Sequence, residues 1–257
     1  MGSQYIDYLF ADKTIVPEES KQFYSEKIAY LPSYQVNDSH RTIANKVFTR
    51  AELGIPQDSF VFACFNNNYK ILPATFEGWM RILKVIEGSI LFLYAENEWA
   101  QKNLIKEAEA NGIEGQRIIF GKHLPADEYL ARYQACDLFL DTAPYNAGTT
   151  ASDALWAGLP VLTLVGKSFA SRVAASLLNA IDLPELITQT QSAYEAKAIE
   201  LAHNPDKLAS IKQRLAQNRN STLLFDTSLF VKNIEAVYTK IYQRYQEDLH
   251  PDHISIH

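Results

Sequence analysis

No run in this sequence approaches the ~20 apolar residues that a helix needs to cross hydrocarbon. No basic patch followed by an apolar core opens the chain as a secretory signal would. A cytoplasmic protein with no membrane partner is the expectation. Cysteine is scarce: Cys64 and Cys136 are the two present, each inside an apolar run and without metal-type spacing. They read as buried free thiols, which suits a reducing compartment. Basic clusters are missing as well, and the net charge is −6. That balance argues against nucleic acid or an anionic membrane surface as the main partner, so any anion must be held locally. The six histidines, at positions 40, 123, 203, 250, 253 and 257, are scattered, and three fall in the tail. No metal site is expected from them. No Asp-x-Asp clamp occurs, because Asp137 and Asp141 are separated by three apolar residues that read as a strand. The Gly-x-x-x-x-Gly-Lys loop and the Gly-x-Ser-x-Gly elbow are absent too.

What is present is a large core. With 257 residues, 47% of them hydrophobic, the chain can form one large domain or one and a half. From residue 58 onward, short apolar runs at 58–64, 89–95, 117–121, 137–141 and 160–165 alternate with helical periodicity. The helices fall near 73–86, 98–111, 126–135, 150–157 and 171–180. This alternation predicts an α/β fold, a doubly wound parallel sheet covered by helices on both faces, with ligands at the strands' carboxyl ends. The C-terminal third reads as helical over 195–203, 206–219 and 227–245, and the polar tail after Leu249 is expected to fray. Residues 5–47 do not resemble the start of a domain. Strand-like pieces at 5–11 and 27–31 flank a helix opening at Pro17, and 35–46 reads as a linker. Two such strands cannot form a stable sheet alone, so they should pack on the main domain or on something beyond it. Met1-Gly2-Ser3 reads as an added start, and the chain as cut from a longer protein.

The chemistry-bearing stretch is Asp141-Thr-Ala-Pro-Tyr-Asn-Ala-Gly148-Thr149-Thr150-Ala-Ser-Asp153, followed by Gly158 and Pro160 as helix stops. It reads as strand, turn and helix. Thr149 or Thr150 can cap the helix, and free N–H groups beside Gly148 form a seat for phosphate. Asp153, one turn on, can reach the hydroxyls of a ribose. A second loop, Phe65-Asn66-Asn67-Asn68-Tyr69-Lys70, leaves the first strand at the same edge and can offer amides and a cation to phosphate. After the third strand, Tyr129 can stack on a base, and Arg132 can support the loop or meet a phosphate. Each feature also has a plain reading: a glycine turn that binds nothing, an Asn-rich turn with a solvated lysine, a tyrosine on the core face of an amphipathic helix.

Taken together, the chain resembles the carboxyl-terminal half of the O-GlcNAc transferase family, inverting two-Rossmann (GT-B) glycosyltransferases that include the SPINDLY type. The likeness is sharpest at Tyr24 to Pro32, Phe65 to Lys70, Asp141 to Pro160, Ser171 to Ser176, and Leu183-Pro-Glu-Leu186. It implies that Lys70 contacts the donor diphosphate and favours departure of UDP, with Asn67 as a polar donor contact where glutamine is usual. Thr149 and Thr150 match the phosphate-binding pair and Asp153 the ribose-binding acid. Tyr94, the Leu124 backbone and Arg132 fall at the uridine pocket. Two departures stand out: Tyr129 and Gly148 each occupy a position where the family commonly has histidine.

The resemblance implies a metal-independent protein O-glycosyltransferase half that takes N-acetylglucosamine from UDP-N-acetylglucosamine to Ser or Thr of a protein acceptor. Its organisation would be residues 1–47 as the end of a preceding catalytic domain plus linker, 48–226 as the UDP-sugar-binding domain, and 227–257 as a crossing helix and tail. Acceptor binding and helical repeats would lie in an amino-terminal half outside this sequence, leaving this part inactive alone. The alternatives are a half that uses GDP-fucose, and a non-catalytic nucleotide-sugar-binding module.

Overall fold

The computed structural model describes residues 2–95 and 97–256. The strands of the main sheet are short apolar runs, β3 (Val61–Cys64), β4 (Ile90–Leu93), β5 (Ile118–Phe120), β6 (Leu138–Leu140) and β7 (Val161–Leu164), buried on both faces except for half-buried Ile119 and Phe120 in the edge strand β5 and Leu164 at the end of β7. A sixth strand, β8 (Ile187–Thr188), lies inside the region that the sequence reads as purely helical. Two residues carry no periodicity, which is why it escapes notice there. The six strands are all parallel, in the order β5-β4-β3-β6-β7-β8. The order reverses between β3 and β6, and a crevice opens at such a switch point beyond the carboxyl ends of the strands.

Helices α1 (Pro73–Val85), α2 (Glu98–Ala110), α3 (Ala126–Arg132), α4 (Thr149–Trp156) and α5 (Val173–Ala180) make the crossovers. Proline opens α1, where its missing N–H costs nothing, and Phe76, Trp79, Met80 and Leu83 bury one face at helical spacing. At the other end of α4, Gly158 sits at φ +87°, donating its N–H to Leu155 while Leu159 donates to Ala154. That double bond pattern closes the helix and requires a left-handed residue, which glycine supplies without strain. Helices α6 (Gln191–His203), α7 (Pro205–Asn218) and α8 (Thr227–Gln246) follow, with α6 packing on α1, α7 and β7.

The amino-terminal segment forms a second sheet. Strands β1 (Tyr8–Ala11) and β2 (Lys27–Tyr30) pair in parallel, and the tail adds β9 (Ile254–Ser255) on the other side of β2. The tail therefore does not fray. Ile254 is buried, the Ile28 N–H donates to His253 Nδ1 at 2.8 Å, and the Ile256 N–H donates to Tyr30 at 3.0 Å. This sheet is tied to α5: Asp12 accepts from Ser176 Oγ, and Asn179 Nδ2 donates to Thr14 Oγ1 at 2.9 Å. The segment 35–46, which the sequence reads as a linker, lies along α4 instead. Asn37 accepts from Ser152 Oγ at 2.6 Å and donates to Leu224, and Trp156 Nε1 donates to the Arg41 carbonyl at 3.1 Å.

Candidate functional site

Because β3 and β6 are direct neighbours, with Ala63 opposite Phe139, the loops that leave them emerge side by side. Asn66, the second residue past β3, is buried and joins the two: its Nδ2 donates to Thr142 Oγ1 at 2.8 Å and its Oδ1 accepts from Thr150 Oγ1. Asp141, immediately after β6, is enclosed by donors. Its Oδ1 accepts from the N–H groups of Thr142 at 2.8 Å and Ala147 at 2.7 Å, and its Oδ2 from Thr163 Oγ1 at 2.7 Å. Complete burial lifts its pKa to about 7 against the pull of those bonds and of Lys70. Folded round this carboxyl, the 142–147 turn presents the Asn146 carbonyl outward, and Lys70 Nζ donates to it at 3.0 Å. The same ammonium lies 3.9 Å from the centre of the Tyr145 ring. Partial burial lowers the Lys70 pKa while Asp141 opposes that shift.

Gly148, rather than a threonine, occupies the position before α4, and no side chain caps the helix. The expected threonine cap is not formed, because Thr150 spends its hydroxyl on Asn66 and Thr149 stands exposed. The N–H groups of the first turn are thereby left for an external acceptor, the arrangement that suits an anion. Gly148 itself is not there for want of space. A Cβ built on it would meet Val173 at 3.5 Å and Gln35 at 3.7 Å, ordinary contacts. One turn along α4, buried Asp153 forms an ion pair with Arg41. Burial raises the Asp153 pKa, Arg41 opposes the rise, and the Tyr129 hydroxyl faces the same carboxylate.

Tyr129 is half-buried, with its ring edge-on to Tyr133 at 5.2 Å between centres and its hydroxyl against that of Tyr133. Tyr133, fully buried, also reaches the Thr150 carbonyl at 3.4 Å, which links α3 to the start of α4. Arg132 supports a loop and does not approach the phosphate seat. Its guanidinium is buried over Phe65 at 4.3 Å and donates to the Lys122 carbonyl at 2.7 Å. A Cβ on Gly121 would come within 2.6 Å of Arg132 Nη1, so the glycine makes room for this cation. Asn67 accepts from the Tyr69 N–H at 3.3 Å, capping its own short turn. Tyr94 and Leu124 are half-buried on the loops beyond β4 and β5 of the same edge.

The structure thus gathers Lys70, Tyr129, Gly148, Thr150 and Asp153 round the switch point, with Thr149 on the rim and Arg132 behind. Sequence reasoning missed Asn66, Asp141 and Arg41 as partners in this cluster. The first two carry a signal, since both sit at the carboxyl ends of strands that flank the crevice. Arg41 carries none, lying in a segment without periodicity.

Comparisons with known proteins agree with this geometry. The profile of glycosyl transferase family 41 matches residues 39–234. Over 262 residues the chain is 36% identical to a probable UDP-N-acetylglucosamine–peptide N-acetylglucosaminyltransferase of Arabidopsis thaliana, covering 99% of this chain and 27% of that protein. It is 34% identical to a UDP-N-acetylglucosamine–peptide N-acetylglucosaminyltransferase of Caenorhabditis elegans, covering 80% of this chain and 18% of that protein. A solved mutant of the O-GlcNAc transferase of Thermobaculum terrenum superimposes with a TM-score of 0.81 at 29% identity, covering 92% of this chain and 45% of the other. The chain spans about a quarter of the length of the curated relatives it matches. It belongs to glycosyl transferase family 41.

Proposed function

We propose that this chain is the donor-binding half of an inverting protein O-glycosyltransferase that moves N-acetylglucosamine from UDP-N-acetylglucosamine to Ser or Thr of a protein. The observation that carries the reading is the meeting of Lys70, the uncapped start of α4 and Asp153 at one switch point. They suit, in order, a diphosphate, its second anionic contact and a ribose. Tyr129, Tyr94 and the Leu124 backbone line the side on which the base would lie, with Arg132 holding that wall in place. In the whole enzyme an acceptor hydroxyl attacks the anomeric carbon from the face opposite UDP and gives up its proton to a base or water outside this chain. The bond to the β-phosphate oxygen breaks, and its electron pair leaves with UDP. Lys70 and the α4 N–H groups meet that charge.

No metal is assigned to this step. Asp141 is enclosed by protein donors and Asp153 is held by Arg41, so neither carboxylate is set up to clamp a cation, and no cluster of metal-ligating side chains occurs among the described residues. Acceptor binding is assigned to a part of the enzyme outside this chain. Supporting that, Tyr238, Tyr242 and Tyr245 on α8 are exposed, as is Phe23 in the amino-terminal segment, side chains that suit docking of another domain. A cytoplasmic location is in keeping with two buried free thiols, the Cys136 pKa being pushed up to about 12 by burial. No helix among the described residues is long and apolar enough to cross a membrane.

Titrating UDP and GDP into the chain, each with magnesium and with EDTA, tests the reading. Selective UDP binding, unchanged by EDTA, is expected. Equal binding of GDP would favour the fucosyl alternative, and no heat with either at millimolar nucleotide would favour a module whose site has decayed. The chain alone is expected to transfer no sugar to peptides, and turnover by it would overturn the half-enzyme assignment.

A further inference from the structure

Arg41 reaches the site from a segment that is distant in sequence and tied down at several points. Asn37 bridges Ser152 and the Leu224 carbonyl, the Ala44 N–H donates to Asp127 at 3.1 Å, and Lys46 Nζ lies 3.1 Å from Glu128. Trp156 holds the Arg41 carbonyl itself. Such a strap crosses α4 and the start of α3, and it fixes the arginine backbone beside the ribose acid. Only one corner of the guanidinium is then used: Nη1 pairs with Asp153 Oδ1. The Nε and Nη2 groups are shut off from solvent, and neither has a hydrogen-bond partner among the described residues.

These two nitrogens form one edge of the planar guanidinium, the fork that matches two oxygens bidentately. Leaving two charged donors buried and unpaired is costly, and the pairing of Nη1 with Asp153 does not relieve it. An arginine placed merely to neutralise Asp153 would gain by turning that edge to solvent. Held instead beside the ribose acid, that edge is placed to meet an acceptor that a bound nucleotide brings.

We propose that Arg41 is a nucleotide-binding residue of this site, whose Nη1 orients Asp153 toward the ribose hydroxyls and whose Nε–Nη2 edge takes oxygen acceptors of the bound nucleoside diphosphate. This rests on the donor-binding reading above. The strap then becomes part of the donor site, to which it contributes Arg41 beside Asp153. It also separates two tasks within one side chain, because positioning Asp153 needs only the charge, whereas the fork needs the guanidinium plane.

Calorimetric titration of the chain with UDP and with 2′-deoxy-UDP, for wild type, Arg41→Lys and Arg41→Gln, separates those tasks. Arg41→Lys keeps a cation for Asp153, so it should fold and retain the wild-type preference for the ribonucleotide. Its affinity for both nucleotides should fall about tenfold, the loss of about one charge-assisted hydrogen bond. Arg41→Gln should weaken UDP further and bring the preference for UDP over 2′-deoxy-UDP close to unity, because Asp153 loses its orientation. A structural role alone would lower stability without moving that ratio. If the wild type binds UDP and Arg41→Lys binds it within about twofold of wild type, this proposal fails and the donor-binding reading stands. If the wild type binds no UDP, both fail.

Discussion

Replacing Lys70 by methionine in the full-length enzyme separates a catalytic cation from a binding one. Methionine keeps the length of the side chain and can still lie on the Tyr145 ring, but it cannot donate to the Asn146 carbonyl. The 142–147 turn survives that loss, since Asn146 Nδ2 is tied to the Thr142 carbonyl at 2.8 Å and Ala147 to Asp141. The stability cost should therefore be that of one hydrogen bond, about 1 kcal/mol. The effect on rate is larger. As the glycosidic bond breaks, roughly one further unit of negative charge develops on the leaving diphosphate, and an ammonium ~4 Å away stabilises it by ~4 kcal/mol at an effective dielectric of ~20. Lys70 is only half-buried, so solvent screening trims this toward ~3 kcal/mol, which sets the loss of turnover at ~10²–10³.

Steady-state kinetics with a peptide acceptor would give kcat and KM, and calorimetry would give UDP affinity separately. The expected pattern is a kcat lower by ~10²–10³ with a much smaller loss of UDP binding, because the interaction strengthens as charge develops. Asp153→Ala should show the converse, a raised donor KM with kcat less affected, since a ribose contact changes little while the bond breaks. If Lys70→Met turns over within about threefold of wild type while UDP affinity collapses, Lys70 is a ground-state binding residue and the catalytic assignment is wrong.

Three further outcomes follow from particular contacts. Gly148→His should fold with stability within about 0.5 kcal/mol of wild type, because the added Cβ meets only ordinary contacts, and it should tighten UDP binding measured by calorimetry; unchanged or weaker binding would show that the missing side chain is not a lost donor contact. Ile254→Ala should cost about 2 kcal/mol in urea unfolding, the low end for a buried isoleucine because β9 lies near the chain end; a change below ~0.5 kcal/mol would mean that the tail frays in solution. The Asp141 carboxyl holds a proton in the folded state up to about pH 7, while the unfolded chain releases it near pH 4. Its contribution to stability is thus complete below pH ~4 and declines as pH rises toward 7, so Asp141→Asn should flatten the change in urea-derived stability between pH 5 and pH 8. An unaltered slope in that variant would place the titration elsewhere.

The fold was legible wherever local pattern and burial coincide. Strands β3 to β7 are apolar runs bounded by turns, and the helices between them bury residues at helical spacing, so both signals lie in contiguous sequence. The misses are elements defined by distant partners. Strand β8 is two residues long and is a strand only because β7 offers it Thr163 and Leu164. Strand β9 is two residues within a polar tail and becomes ordered because β2 presents an open edge, whose Ile28 N–H finds the His253 imidazole as an acceptor. Neither pairing leaves a period that a window of sequence can detect.

The site divides along the same line. Lys70 stands on a short turn, Gly148 just before α4, and Thr149, Thr150 and Asp153 in its first turns, all with geometry that follows from their own neighbours, so position at the strand ends was enough to mark them. What sequence could not reveal was which of the polar groups would be consumed by the protein. Asn66 and Asp141 look as suited to a ligand as Lys70 does, yet their capacity is spent on Thr142, Thr150, Ala147 and Thr163. Arg132 looks like a phosphate ligand, yet its Nη1 is spent on the Lys122 carbonyl and its plane on the face of Phe65, leaving only a buried Nε without a partner among the described residues. Capacity survives in the Lys70 ammonium, in the uncapped N–H groups of α4 and in the free edge of Arg41. All three are donors, two of them cationic, in a protein of net charge −6. In an acidic protein, donors gathered at one sheet edge beside a cation favour an anion locally, against the repulsion of the overall charge.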